Sequence, residues 1–359
     1  MDHFDKTAKE ISKTSLKKKV KYGNNVLVGK QVKVGINCSI GHNTIIEKNV
    51  IIGNNCSIGS NVIIRNSVIK NNVKIYINGQ IKLRSEAYVS VFDSGFLLGD
   101  GLWEGIRLHK GKLVFIEKHL GRLFEGAKAI DLDIGLTQNE LHKAIINTCK
   151  ANNMKSGVHI RLVVTRGIKK TPFQSPKANI GKSTIVIIPE WKEVSNQDIS
   201  DGIKLHTVHI QRGNPTVQDP LWNSLSKLNC ISACIHAEKA GADEALMLNP
   251  NGFVSTCNST HFFIIRDQEL WTSNGLYCIE GITRGNIIKL ARQLGILVKE
   301  CDFSLTKAYS ADEAFVTGTF SGLIPVNSID GRKIGKMMPG LITKKLMKSY
   351  KNYFEECSK

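Results

Sequence analysis

An aliphatic side chain recurs at every sixth position from Val28 through Val34, Ile40, Ile46, Ile52 and Ile58 to Ile64. A period of six matches neither the turn of an α-helix nor the alternation of an ordinary strand. Glycine follows the aliphatic residue at Gly29, Gly35, Gly41, Gly53 and Gly59, and a small or β-branched residue stands two positions before the next one, at Val32, Cys38, Thr44, Val50, Cys56 and Val62. This pattern predicts a β-solenoid, in which each short strand stacks on its equivalent one coil earlier and the repeats together bury a continuous core. Roughly 50 residues give about three coils, close to the minimum for such a stack, so a packing partner is expected.

The segment resembles the left-handed parallel β-helix of hexapeptide-repeat acyltransferases, whose aliphatic side chains fill the centre of a triangular coil. The repeat specifies an architecture and not an activity. His42 is the one histidine of the coil and a candidate acyl-transfer base, but no acyl-donor site or substrate loop accompanies it, which favours a histidine in a surface turn. Residues 25–75 are therefore read as a packing or oligomerisation module.

The whole chain of 359 residues has room for two further domains, and 42% hydrophobic with 22% charged residues is ordinary for a folded protein. Part of the formal charge of +18 is crowded into Lys6, Lys9, Lys13, Lys17, Lys18, Lys19 and Lys21, which predicts a solvated basic tail over 1–24. No aromatic residues interleave these lysines as stacking platforms, so no nucleic-acid partner is expected. Nine cysteines without CxxC pairs or metal-like Cys/His spacing predict reduced thiols, a cytoplasmic setting and no metal site. The start, MDHFDKTAKE, lacks the apolar core of a signal peptide, and no apolar run reaches membrane-spanning length, so no membrane partner is expected either.

From Tyr76 onward, strands alternate with amphipathic helices, beginning IYINGQIKLRSEAYVSVFDSGFLLGDGLWEGIRLHKGKLVFIEKHLGRLFEGAKAI and including the later runs EGITRGNIIKLARQLGI and DEAFVTGTFSGLIPVNSIDG. Residues 76–354 resemble the fold-type IV pyridoxal-phosphate (PLP) enzymes, the class of branched-chain aminotransferases, D-amino-acid aminotransferases and aminodeoxychorismate lyases. That resemblance implies an α/β N-terminal domain over 76–190, a linker at 191–200 and a barrel-like C-terminal domain over 201–359, with PLP between the domains. It also implies a homo-oligomer, a dimer or higher, with amino-acid and keto-acid substrates.

A dianionic phosphate calls for a guanidinium, free N–H groups at a helix start and hydroxyl donors. Arg122 in HLGRLFEGAKAI stands where the family places its phosphate arginine, with a surface salt bridge as the alternative. Gly281-Ile282-Thr283 precedes the helical run RGNIIKLARQLG, so Ile282 and Thr283 offer amides and Thr283 a hydroxyl, although GIT alone is no more than a helix start. Thr319 of TGT matches a further phosphate-binding threonine.

Aligned through AGADEAL, the family's Schiff-base lysine falls on Asn223 of N-S-L-S-K, and Lys227 is the nearest amine. A helix starting near Asn223 would put the two one turn apart on one face, so Lys227 is the candidate catalytic lysine. The alternative places Lys227 on the solvent side of a helix whose apolar stripe is Leu225, Leu228, Ile231 and Ile235. The family's carboxylate partner of the pyridine nitrogen falls on Thr256, which is either a neutral cofactor contact or a β-branched strand residue. Arg161 in HIRLVVTRG matches a substrate-end arginine that binds an α-carboxylate or forms a structural pair. Trp103 in G-D-G-L-W-E is a candidate substrate-binding residue that packs against the cofactor pocket or in the core. Lys169-Lys170-Thr171-Pro172 reads as a basic loop at the mouth of the site. The leading expectation is an aminotransferase; a noncatalytic binding or assembly module, a PLP lyase and acyl transfer by the coil stand as alternatives.

Overall fold

The computed structural model describes residues 20–36, 38–53, 56–65, 68–69, 73–192 and 196–358. Most of the expected basic tail lies outside these residues. The chain forms two compact units, one of residues 1–75 with 82–87 and the other of residues 76–81 with 88–359.

Among the described residues of the first unit the hexads form nine two-residue strands: β1 (Lys21–Tyr22), β2 (Leu27–Val28), β3 (Lys33–Val34), β4 (Ser39–Ile40), β5 (Ile45–Ile46), β6 (Ile51–Ile52), β7 (Ser57–Ile58), β8 (Ile63–Ile64) and β9 (Val68–Ile69). They assemble into three parallel three-stranded sheets, β1-β4-β7, β2-β5-β8 and β3-β6-β9. Val28 stacks on Ile46 and Ile46 on Ile64, so three hexads make one coil of a parallel β-helix. Ile40, Ile46, Ile52 and Ile64 fill its centre with Cys38, Thr44, Val50 and Cys56, which explains why two positions per hexad are apolar or small. A Cβ on Gly29 would meet the Lys48 amide nitrogen of the next coil at 2.5 Å, so the glycine after the aliphatic residue is a close-approach position. Asn25, Asn43 and Asn61 turn corners at positive φ, and their amides form a ladder of hydrogen bonds at 3.1 and 3.2 Å.

Among its described residues the second unit carries two large sheets and one short strand pair. Strands β10 (Lys74–Ile77), β11 (Gln80–Leu83), β12 (Gly101–His109), β13 (Lys112–Val114), β14 (Val158–Thr165) and β17 (Thr184–Trp191) form a six-stranded sheet in the order β11-β10-β17-β14-β12-β13. The short pair β15 (Ile168–Lys169) and β16 (Asn179–Ile180) lies between β14 and β17 in sequence. After α1 (Ser94–Leu98), helix α2 (Ile116–Ala129) buries His119, Leu120, Leu123 and Ala127 at helical spacing. Helix α3 (Gln138–Ala151) starts at a reciprocal cap between Thr137 and Glu140.

The 191–200 stretch holds the end of β17 and the start of α4 (Asn196–Asp201). Beyond it, β18 (Ile203–Thr207), β19 (Glu244–Leu248), β20 (Val254–Cys257), β21 (His261–Arg266), β22 (Glu269–Thr272), β23 (Val298–Glu300), β24 (Glu313–Gly318) and β25 (Gly322–Ile329) form a mixed sheet. Its order is β20-β19-β18-β25-β24-β21-β22-β23, with β26 (Arg332–Lys333) against β25. Its helices are α5 (Pro215–Gln218), α6 (Leu228–Lys239), α7 (Ile282–Gln293), α8 (Leu305–Tyr309) and α9 (Leu341–Glu356).

One expectation about packing is corrected. Leu228, Ile231 and Ile235 do not form the buried stripe of α6; they are 74%, 52% and 45% exposed. The buried face is Cys230, Ala233 and Ala237, because small side chains let the helix lie close on Val208, Ala245 and Met247.

Candidate active site

Strand β12 supplies two neighbouring side chains with opposite roles. Glu104 is fully buried, and a lone buried carboxylate is expensive. It is satisfied by His119 Nδ1 at 2.7 Å and by Arg122, whose Nε and Nη2 donate to its two oxygens at 2.8 Å each. Burial pushes the Glu104 carboxyl up, but the hydrogen bonds and charges of His119 and Arg122 outweigh it and hold the carboxyl below its ordinary value. Arg122 is thus not a surface salt bridge. Three of its five N–H groups are placed, the third on the Glu280 carbonyl at 2.6 Å, which brings the guanidinium to the turn that starts α7.

At that turn Gly281 is the N-cap of α7 and makes no side-chain capping hydrogen bond, which leaves first-turn amides at Ile282 and Thr283 for an anion. Ile282, Thr283 and Thr319 line one narrow crevice with Arg107, His119 and Tyr350. His119 Nε2 and the Thr317 hydroxyl are buried there or nearby in sequence with no partner among the described residues. Buried polar atoms of this kind call for a ligand, and an uncapped helix start, a hydroxyl and two free guanidinium N–H groups suit a phosphate.

Trp103, adjacent to Glu104, turns to the other side of the strand. Arg161, on the neighbouring strand β14, lays its guanidinium carbon 3.8 Å from the Trp103 ring centroid, and Lys227 Nζ lies 5.9 Å from the same ring. Burial lowers the pKa of Arg161. The structure therefore brings Trp103, Arg161 and Lys227 into one cluster.

The expectation that Lys227 and Asn223 share one helix face is corrected: Asn223 lies outside the helix. The backbone of 223–225 pairs with the start of β12: Trp103 N donates to Asn223 O at 2.9 Å, Leu225 N to Gly101 O at 2.9 Å, and Ser224 bridges Leu102. With those groups satisfied by strand pairing, α6 begins only at Leu228 and Lys227 is its N-cap. The Lys227 amine is half-buried and has no hydrogen-bond or carboxylate partner among the described residues. Burial brings its pKa down to about 8, with Arg212, Arg122 and Arg161 adding to the effect against Cys230.

Thr256 is buried on β20, and its hydroxyl donates to Thr260 O at 2.7 Å. Arg212, a residue that sequence reading missed, reaches across from the segment after β18: Nη2 donates to Cys257 O at 2.9 Å and Nη1 to Cys230 Sγ at 3.3 Å. A lone arginine in IQRGNP carries no spacing signal, so only tertiary packing reveals it. Lys169 departs from its expected place in a basic loop. It is buried and donates to Ser175 O and Asn179 Oδ1 at 3.2 and 2.9 Å, tying the loop down. In the coil, the exposed His42 accepts from the Asn24 amide through Nδ1 at 2.9 Å, a turn contact.

The amino-transferase class IV family model matches residues 101–329, and the bacterial transferase hexapeptide (six repeats) model matches 31–66. The chain belongs to the class IV aminotransferases. It is 40% identical over 283 residues to a putative branched-chain-amino-acid aminotransferase of Methanocaldococcus jannaschii, covering 78% of this chain and 96% of that one. A branched-chain-amino-acid aminotransferase-like protein 2 of Arabidopsis thaliana is 38% identical over 77% of this chain, which spans only 49% of that relative's length. A D-alanine aminotransferase of Listeria monocytogenes is 31% identical over 76% of this chain and 93% of that one. Among solved structures, the branched-chain aminotransferase of Thermoproteus uzoniensis with norvaline superposes with a TM-score of 0.72 at 29% identity, over 80% of this chain and 96% of that one. The branched-chain amino acid aminotransferase of T.th. with pyridoxamine 5'-phosphate gives 0.75 at 27% identity, over 80% and 95%. The fold is that of the class IV aminotransferases preceded by a short parallel β-helix. Among the described residues no helix is long and apolar enough to cross a membrane, and no disulfide joins the cysteines.

Proposed function

We propose that this class IV aminotransferase moves an amino group between an amino acid and a 2-keto acid with pyridoxal 5'-phosphate, and that Lys227 is its catalytic lysine. The observation that carries the assignment is the Lys227 amine, half-buried, unpartnered among the described residues and lowered to about 8. At pH 7 such an amine is free of its proton in roughly one molecule in ten, against about one in three thousand for an ordinary lysine. It is thus able to hold a carbonyl carbon and to carry a proton.

The residues fit the cofactor. Ile282, Thr283 and Thr319 would hold its phosphate, with the two unplaced N–H groups of Arg122 beside them. Asn223 and Thr256 would border the ring. When bound, the cofactor supplies an electron-withdrawing ring and a carbonyl carbon that exchanges amines. Lys227 Nζ takes a proton from the substrate carbon and returns it one position away. Arg161 orients the substrate through its carboxylate, and Trp103 covers the guanidinium and excludes water from it.

Branched-chain amino acids and D-alanine, for which relatives of this chain are named, are the substrate classes this reading favours. A homo-oligomer in the cytoplasm belongs to this reading; the exposed row Leu228, Ile231 and Ile235 on α6 is an apolar face suited to a second copy. Borohydride reduction of the PLP-loaded protein, followed by peptide mapping, is expected to find the label on Lys227. A label on another lysine, or a colourless protein, overturns the assignment.

A further inference from the structure

We propose that Arg212 takes the place of the missing carboxylate and donates to the ring nitrogen of the cofactor, so that this nitrogen stays unprotonated. The inference deepens the PLP reading above and rests on it.

Thr256 stands where a carboxylate would keep the ring nitrogen protonated by charge. Its hydroxyl carries a single proton, already given to Thr260 O at 2.7 Å, so Thr256 has no proton left for a ring nitrogen and no negative charge to offer it. The nearest acid on the adjoining strand does not substitute. Glu244 accepts from the Ser259 amide and hydroxyl at 2.9 and 2.7 Å and from the Thr260 hydroxyl at 2.7 Å, which saturates it within its own turn.

Arg212 spans the gap between the two elements that carry the site. Nη1 is held by Cys230 on α6, three residues beyond Lys227, and Nη2 by the carbonyl of Cys257, the residue after Thr256. The same guanidinium is near enough to act electrostatically on Lys227 and on buried His261. Cys230 and the Cys257 carbonyl are its hydrogen-bond partners among the described residues, and neither is a carboxylate. Its Nε is buried with no partner among those residues. A guanidinium has only donors and keeps its charge near neutral pH, so the ligand atom it lacks is an acceptor. A pyridine nitrogen with its lone pair free meets that need, whereas a pyridinium would place cation against cation.

The consequence is a weaker electron sink than a protonated ring provides, with more of the proton handling left to Lys227. The test is nitrogen NMR of the holoprotein loaded with PLP carrying the heavy nitrogen isotope in its ring. The wild-type resonance is expected at the position of unprotonated pyridine and unmoved across the neutral pH range. T256E is expected to move it toward the pyridinium position; R212Q, which removes the donor without adding a carboxylate, is expected to shift it by loss of the hydrogen bond, and an R212Q resonance identical to wild type overturns the proposed contact. A pyridinium resonance in the wild type overturns the proposal while leaving PLP binding intact. Absence of any bound ring resonance overturns both the proposal and the PLP reading.

Discussion

The guanidinium of Arg161 stacks on the indole of Trp103 with 3.8 Å between its central carbon and the ring centroid. The two residues sit on adjacent antiparallel strands, where Gly105 faces Arg161 and Trp103 faces Val163, so they meet as diagonal neighbours across the pair. The stack holds a long side chain in one geometry before any substrate arrives. Trp103→Leu removes an attraction of about 0.5–2 kcal/mol and releases the guanidinium. The expected outcome is a KM for the amino acid raised roughly threefold to thirtyfold with kcat changed less, read by steady-state kinetics. Arg161→Lys is expected to do at least as much, since an ammonium offers neither the planar stack nor the bidentate fork.

The depressed pKa of Lys227 predicts how loading responds to pH. Only the unprotonated amine attacks a carbonyl, so the rate of PLP uptake by the apoprotein should rise about tenfold per pH unit below 8 and level off above it. A rate that keeps climbing to pH 10 would mean that the amine is an ordinary exposed one.

The same shift has a sign for stability. The folded pKa of about 8 lies below the unfolded value, so between about pH 8 and about pH 10.5 the unfolded chain binds more protons and stability rises with pH. Below pH 8 the folded apoprotein carries a charge that burial disfavours. Lys227→Met apoprotein should therefore melt higher than wild type at pH 7, and the gap should narrow as pH passes from 8 toward 10.5. Equal melting temperatures at pH 7 would contradict the burial of the amine.

Glu104 is the acceptor on which His119 and Arg122 both depend. Glu104→Gln leaves the half-buried Arg122 guanidinium without its counter-charge and breaks a buried hydrogen-bond network, and a cost of about 2–4 kcal/mol is expected in urea unfolding. PLP affinity should fall as well, because the helix carrying Arg122 loses its anchor beside the α7 turn.

Gly29→Val tests the coil independently. The new side chain would collide with the Lys48 backbone of the next turn, and backbone cannot yield as a flexible side chain can. The unfolding transition of the β-helix should be weakened or lost, while PLP loading of the class IV unit persists. Loss of both together would show that the two units fold as one.

The β-helix was legible residue by residue, because its repeat is local: Ile46 and Ile52 are inward for the same reason that they are six apart. The class IV fold was legible as well, through long runs such as DEAFVTGTFSGLIPVNSIDG. Helix α6 departs from the sequence pattern in both its start and its buried face. Its start moved from Asn223 to Leu228 because the open edge of β12 captured the backbone of 223–225. Its buried face moved from Leu228, Ile231 and Ile235 to Cys230, Ala233 and Ala237 because a close helix-on-sheet approach selects small side chains over greasy ones.

By itself the sequence determined the solenoid, the class of the second unit and the residue types at Lys227 and Thr256, since these follow from spacing and from continuous motifs. The tertiary structure alone decided that Lys227 faces Trp103 and Arg161, that Arg122 is clamped by Glu104, and that Arg212 lies between α6 and β20 with a donor unspent. Those relationships join positions far apart in the chain, and burial, which lowers the pKa of a lysine and leaves an arginine donor unsatisfied, exists only once the chain has folded around them.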